Sequence, residues 1–194
     1  MNEIQNKWDR IHAKNESLEL PLPAFVLAEF SYLLPGSGTA LEIACGKGGN
    51  ACFLASCGLK TLAWDISPVA VAKLNNIKQD WSLNLNAEVR DVALVLFPRD
   101  CFDVIVASRF LDRTISASIV SALKPGGLLY YQTFVVGKDV KIGPSNPDYL
   151  LAENELLSMF SALIPRVYYN VSSVGDLSKG LRNEACYIGQ KPLT

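Results

Sequence analysis

Ala40-Leu41-Glu42-Ile43-Ala44-Cys45-Gly46-Lys47-Gly48-Gly49-Asn50 decides how this chain reads. An apolar run carrying one acid breaks into a glycine turn, and the residues from Asn50 onward have helical character. Glycines at such a turn let the backbone approach a ligand closely. The helix behind it adds unpaired N–H groups and the positive end of its dipole. Strand, glycine turn and helix in that order suit a nucleoside-type ligand, and the acid inside the strand qualifies which kind.

Outward from this turn the chain alternates strand and helix signals. Runs rich in Val, Ile, Leu and Tyr predict strands over 40–44, 60–65, 87–91, 101–108, 127–135, 166–173 and 184–190. Helical patterns lie between them, over Pro23 to Leu34, Asn50 to Cys57, Thr114 to Leu123 and Glu153 to Leu163. A further helix starts at Ser67-Pro68, with serine as N-cap and proline in the first helical position. Alternating elements with continuously apolar strands predict an α/β fold: a Rossmann-like, doubly wound, mostly parallel seven-stranded sheet with helices on both faces. The last two strands are joined by Gly175-Asp176-Leu177-Ser178-Lys179-Gly180 with no helix between them, which predicts an antiparallel C-terminal hairpin. Gly137 to Tyr149, rich in Gly, Pro and Asn, is the expected substrate-side loop.

With 194 residues, 49% of them hydrophobic, the expectation is a single domain over 1–194 with one core. A net charge of −1 offers no field for nucleic acid or an anionic membrane, and no apolar run reaches the length of a membrane span. Met1 to Glu19 is polar and mixed in charge, unlike a signal or transit peptide, so a cytoplasmic location is expected. Cys45, Cys52, Cys57, Cys101 and Cys186 form no C-x-x-C pair and read as small buried hydrophobes. The only histidine is His12, no ligand spacing fits zinc, and no metal is expected.

Open α/β sheets bind ligands at the carboxyl ends of their strands. Those ends carry Glu42 with the glycine turn, Asp65, Asp91, then Ser108-Arg109-Phe110, then Gln132-Thr133-Phe134. An acid near a buried strand end needs partners to offset its desolvation. Asp65 lies 17 residues after Gly48, near the spacing at which an acid takes a ribose diol; its plainer role is to open the turn before Ser67. Asp91 suits an adenine amino group or an ordinary turn. Glu42 suits a cationic or amino group on the ligand, or else a pair with Lys47 or Arg10.

In this order the motifs resemble those of the class I S-adenosylmethionine-dependent methyltransferases. Glu42-x-Ala44-x-Gly46-x-Gly48 is similar to that family's acid-x-Gly-x-Gly-x-Gly motif, with alanine in place of the first glycine. Asp65 and Asp91 match the acids after the second and third strands, and Lys124-Pro125-Gly126-Gly127 matches the turn into the fifth. Lys7-Trp8-Asp9-Arg10-Ile11-His12 resembles the Trp-Asp-x-x-Tyr lead-in of the small bacterial branch related to tellurite-resistance and thiopurine methyltransferases, with His12 in the aromatic position. The resemblance implies S-adenosyl-L-methionine as cofactor and S-adenosyl-L-homocysteine as product. It implies cofactor contacts from Trp8, Glu42, Ala44, Cys45, Gly46, Gly48, Asn50, Asp65, Ile66, Asp91, Val92, Ser108 and Arg109, under an N-terminal lid formed by residues 1–20.

Gly46-Lys47-Gly48-Gly49-Asn50-Ala51 also fits the dinucleotide pattern, so an NAD-dependent oxidoreductase is the rival. Glu42 beside a pyrophosphate would add like charge, and little chain remains for a separate substrate domain. Tyr187-Ile188-Gly189-Gln190-Lys191 spells Tyr-x-x-x-Lys too late in the chain for hydride transfer. Asn146-Pro147-Asp148-Tyr149 is similar to an amino-methyltransferase signature but follows the wrong strand. The expected partner is therefore a small-molecule acceptor, a thiol or a metalloid oxyanion, and no oligomeric state is legible. Pocket candidates are Arg109, Asp112, Arg113, Tyr131, Gln132, Phe134 and Asn146, with no catalytic base assigned. A non-catalytic S-adenosylmethionine-binding sensor or subunit is the other alternative.

Overall fold

Seven strands form one sheet in the order β3-β2-β1-β4-β5-β7-β6 in a computed structural model that describes residues 3–14, 22–139 and 141–193. They are β1 (Gly38–Ile43), β2 (Leu59–Asp65), β3 (Leu85–Val89), β4 (Phe102–Ser108), β5 (Leu123–Phe134), β6 (Ile164–Tyr169) and β7 (Glu184–Gln190). Pairings are parallel from β3 through β5, and β7 runs antiparallel to both β5 and β6. All seven predicted strands are present, and the hairpin places the single reversed strand inside the sheet, with β6 at its edge. Strand order reverses between β1 and β4, so their carboxyl ends flank the switch-point crevice.

Alternation along the strands sorts the core into two faces. Leu41, Ile43, Ile105, Ala107, Leu129 and Tyr131 pack on one side with Ile119 and Ala122 of α5 (Ser116–Ala122) and Leu156 of α6 (Glu155–Met159). Ala40, Val104, Val106 and Tyr130 face the other side, against Val26 and Leu27 of α2 (Phe25–Glu29) and Leu54 of α3 (Gly49–Ser56). Val71 and Leu74 of α4 (Pro68–Asp80) close the β2–β3 end together with α3.

Several boundaries differ from the sequence expectation. The pattern over Pro23 to Leu34 divides into α2 and a 3-10 turn, Ser31–Leu33, because Phe30 leaves helical geometry at φ −107°. The helix expected from Thr114 opens as a 3-10 turn, Arg113–Ile115, before α5. β5 begins at Leu123, upstream of the expected start: Lys124 to Gly127 enter as a register irregularity against β4, with Gly126 at φ 81°. An N-terminal helix, α1 (Glu3–Lys14), occupies most of the expected lid segment, for which the sequence predicts no secondary structure, and it buries none of its residues. Residues 1–2 and 15–20 of the expected lid, and residue 140 of the expected loop, lie outside the described residues.

Candidate functional site at the carboxyl edge of the sheet

The glycine turn leaves β1 through three left-handed positions: Ala44 at φ 54°, Gly46 at φ 50° and Gly48 at φ 78°. Gly48 is where glycine is most strongly favoured, since its φ is left-handed and a Cβ there would lie 2.3 Å from Leu74 Cδ1, a buried side chain of α4 that would have to move. Ala44 occupies the position where the resembled motif has glycine, and it holds the left-handed geometry at a cost of roughly 1 kcal/mol. The turn is closed by Gly48 N–H donating to the Cys45 carbonyl at 2.8 Å and Cys45 N–H donating to the Trp64 carbonyl at 3.0 Å.

Glu42 is 2% exposed and points from β1 into the first turn of α3. One carboxylate oxygen accepts from Ala51 N–H and the other from Asn50 Nδ2, each at 2.8 Å. The carboxylate therefore caps α3 from a neighbouring strand, where Gly48 has no side chain to do so. Its partners are these groups rather than Lys47 or Arg10. Burial pushes the Glu42 carboxyl up to about 8, against the lowering effect of Asn50 and Ala51. Asn50 also donates to Ser108 Oγ at 2.9 Å and accepts from Ala24 N–H at 2.7 Å, which draws β4 and the approach to α2 into the same cluster.

Asp65 closes β2 with one oxygen on Gly46 N–H and the other on Ser67 N–H, both at 2.8 Å. It opens the turn before Ser67, as one reading had it, and also holds the glycine turn in place. Ser67 Oγ accepts from Ala70 N–H, as the predicted cap, and donates to Asp9 of α1. Lys73 Nζ donates to the His12 carbonyl at 2.7 Å, so α1 is fastened along α4 and over the turn. The His12 ring lies 3.4 Å from where a Gly46 Cβ would stand and stacks on Trp8 at 5.9 Å. Half-burial lowers the His12 pKa, a shift opposed by the charge of Asp65 and reinforced by that of Lys73. Asp91 follows β3 and accepts from Ala93 N–H at 3.1 Å, with Val92 buried behind it and Ile66 half-buried after β2. Burial also pushes the Cys45 thiol well up and the Cys52 thiol to about 11, which leaves both as unreactive core groups.

On the far side of the crevice, Arg109 follows β4 at φ 52° and pairs through Nε with Glu184 at 3.0 Å. Glu184 is the first residue of antiparallel β7, so reversal of that strand carries it to the carboxyl edge of the sheet. It also accepts from Gln132 Nε2, while Gln132 Oε1 accepts from Val26 N–H at 2.8 Å. Asp112 accepts from Thr114 N–H at 2.9 Å and starts the 3-10 turn. Arg113 pairs with Glu155 and donates to the Asp148 and Leu150 carbonyls, pinning the end of the Gly137 to Tyr149 loop. Asn146 caps the 3-10 turn Pro147–Tyr149 through Asp148 N–H. Tyr131 is in the core with its hydroxyl on the Phe110 carbonyl, and Phe134 packs beneath Gly143. A groove of about 470 Å³ between Glu153 and the β6–β7 connection opens at this same edge. Arg182 in its wall is consumed by backbone carbonyls, among them Ser172 and Asp176.

The structure thus brings Glu42, Asn50, Ser108, Asp65 and Gly46 together, with Arg109 next in the chain after Ser108, whereas Asp112 and Asn146 serve local turns and Arg113 ties the Gly137 to Tyr149 loop to Glu155. Among the described residues no group of three His, Cys, Asp or Glu is placed to hold a metal ion, and no helix is long and apolar enough to cross a membrane. The donor and acceptor inventory of the crevice fits S-adenosylmethionine: acids stand on the side where that molecule offers ammonium, hydroxyl and amino donors. Each oxygen of Asp65 and Glu42 has accepted one protein bond and retains a second lone pair.

Fold, motif order and sequence comparison converge. Residues 40–127 match the family model described as a methyltransferase domain, a span that runs from β1 to the start of β5. The chain is distantly similar to TehB from Haemophilus influenzae, described as a probable S-adenosyl-L-methionine-dependent methyltransferase. The two are 25% identical over 173 residues, 77% of this chain and 60% of the relative, so the chain spans less than two thirds of that protein's length. The crystal structure of TehB superposes at a TM-score of 0.70 with 20% identity over 95% of this chain and 67% of that one. The [4+2]-cyclase SpnF superposes at 0.77 with 16% identity over 99% and 96%. A geranyl diphosphate C-methyltransferase from Streptomyces coelicolor does so at 0.72 with 13% identity over 98% of each chain. At these identities the superpositions speak to the fold alone.

Proposed function

We propose that the chain is a one-domain cytoplasmic enzyme that transfers the methyl group of S-adenosylmethionine to a small-molecule acceptor. The observation that carries this reading is the placement of Glu42, Asp65 and Asp91 at the ends of adjacent strands β1, β2 and β3, with Asp65 bonded to the glycine turn. In this reading Asp65 takes the ribose hydroxyls and Asp91 the adenine amino group. Glu42 and Asn50 set the turn that receives the amino-acid end. Trp8 and His12 on α1 cover the cofactor. A dinucleotide pyrophosphate at the glycine turn would approach the Asp65 carboxylate bonded to Gly46 N–H, which disfavours NAD.

The acceptor's lone pair attacks the sulfonium methyl carbon. The carbon–sulfur bond breaks with its electrons remaining on sulfur, which leaves S-adenosylhomocysteine, and the acceptor's proton passes to solvent. The chain's contribution is alignment and exclusion of water rather than a strong base. A thiol or metalloid oxyanion needs no base, which accords with His12 lying on α1 rather than after β4. That same placement is what favours the second reading, a binding subunit without turnover. Transfer of label from methyl-labelled S-adenosylmethionine to a panel of thiols, tellurite and small amines separates the two. Label in an acceptor supports the enzyme, and bound cofactor with no label in any acceptor supports the sensor.

A further inference from the structure

Arg109 is the one long cationic side chain in the crevice region whose backbone adopts the left-handed conformation, at φ 52°. Glycine or asparagine is the ordinary occupant of such a geometry, and a bulky residue kept there marks a position where the side chain's direction matters. The backbone is held by Arg109 N–H donating to the Gln132 carbonyl at 2.7 Å. The guanidinium is then anchored by one atom only: Nε meets Glu184 at 3.0 Å. Among the described residues no bond is made by its two terminal nitrogens, and the side chain is 66% exposed. A guanidinium gripped at Nε presents its outer pair of N–H groups as a fork, the shape that receives a carboxylate or oxyanion with two parallel bonds.

The grip is itself built. Glu184 is 5% exposed, and its second oxygen is occupied by Gln132 Nε2, whose own carbonyl oxygen is fixed by Val26 N–H. A surface ion pair would leave both partners free to move; here one partner is immobilised by a relay that ends in a helix. We propose that Arg109 recognises an anionic group on the methyl acceptor and that Glu184 is its positioning residue. This rests on the methyl-transfer reading for the word acceptor, and it narrows the acceptor class to small molecules carrying a carboxylate or oxyanion beside the nucleophile.

The test titrates 3-mercaptopropionate and its uncharged amide, 3-mercaptopropionamide, into protein saturated with S-adenosylhomocysteine. The wild type should bind the acid at least tenfold more tightly than the amide. Arg109→Gln should abolish the preference and Arg109→Lys retain part of it. Glu184→Gln should reduce it several-fold, raise KM for the acid with little change in kcat, and shift the Arg109 Nε–H resonance. Equal binding of acid and amide, binding of neither, or a preference that survives Arg109→Gln overturns the proposal. Failure of the methyl-transfer reading shows differently, as an acid preference that persists while no label reaches the thiol.

Discussion

Glu42 holds opposed demands in one carboxylate. Its two oxygens accept bonds that suit the charged form, yet burial favours the neutral form and prevails, raising its pKa from 4.5 to about 8. A carboxyl raised on folding stabilises the native state below its unfolded value, and that contribution disappears as pH climbs through the folded value. Between pH 4.5 and 8, wild-type stability should therefore fall relative to Glu42→Gln by on the order of a few kcal/mol. Urea unfolding of both proteins across that range measures it, and a constant difference would mean that the burial cost is not felt. The acid itself was legible from its place inside an apolar run, and so was its need for a partner. Its partners were not, since Asn50 and Ala51 lie on a helix whose docking angle no motif announces. Glu184 escaped the sequence reading for a related reason. Strand carboxyl ends are where a parallel sheet presents functional residues, but Glu184 opens a reversed strand and meets Arg109 across 75 positions. The hairpin predicted at the C-terminus is the signal that points to it, because reversing β7 sets its first residue at the carboxyl edge.

The helix α2 begins without a capping side chain of its own. Its early N–H groups go instead to Asn50, through Ala24, and to Gln132, through Val26. Both amides stand at the carboxyl edge of the sheet, one on the cofactor side and one on the Arg109 side, so this short element is positioned by the site and in turn steadies it. Asn50→Ala should cost about 1–3 kcal/mol, because Ala24 N–H and an oxygen of Glu42 lose their partners inside the protein. Denaturant unfolding together with hydrogen exchange at Ala24 checks this, and a loss below the error of the measurement would show that water replaces the amide freely. The strands were readable because Val, Ile and Leu runs end in turn residues. The polar composition of α1 masks its helical signal, which rests on Ile4, Trp8 and Ile11 alone, spaced along one face of a helix that buries no residue. Its attachment through Asp9 and Lys73 is polar as well.

Taken whole, the molecule divides its crevice at the strand-order reversal. Acids close β1, β2 and β3, whereas β4, β5 and β7 contribute Ser108, Gln132, Arg109 and Glu184. That division carries the functional account, because the acidic half suits a cofactor that is cationic at its amino-acid end and opposes one that carries a pyrophosphate. The glycine turn by itself is compatible with either. Calorimetric titration of the purified protein with S-adenosylhomocysteine and, separately, with NAD addresses the choice directly. The account predicts saturable binding of S-adenosylhomocysteine in the micromolar range, about −8 kcal/mol, and no heat of binding with NAD. Saturable binding of NAD with none of S-adenosylhomocysteine would contradict it.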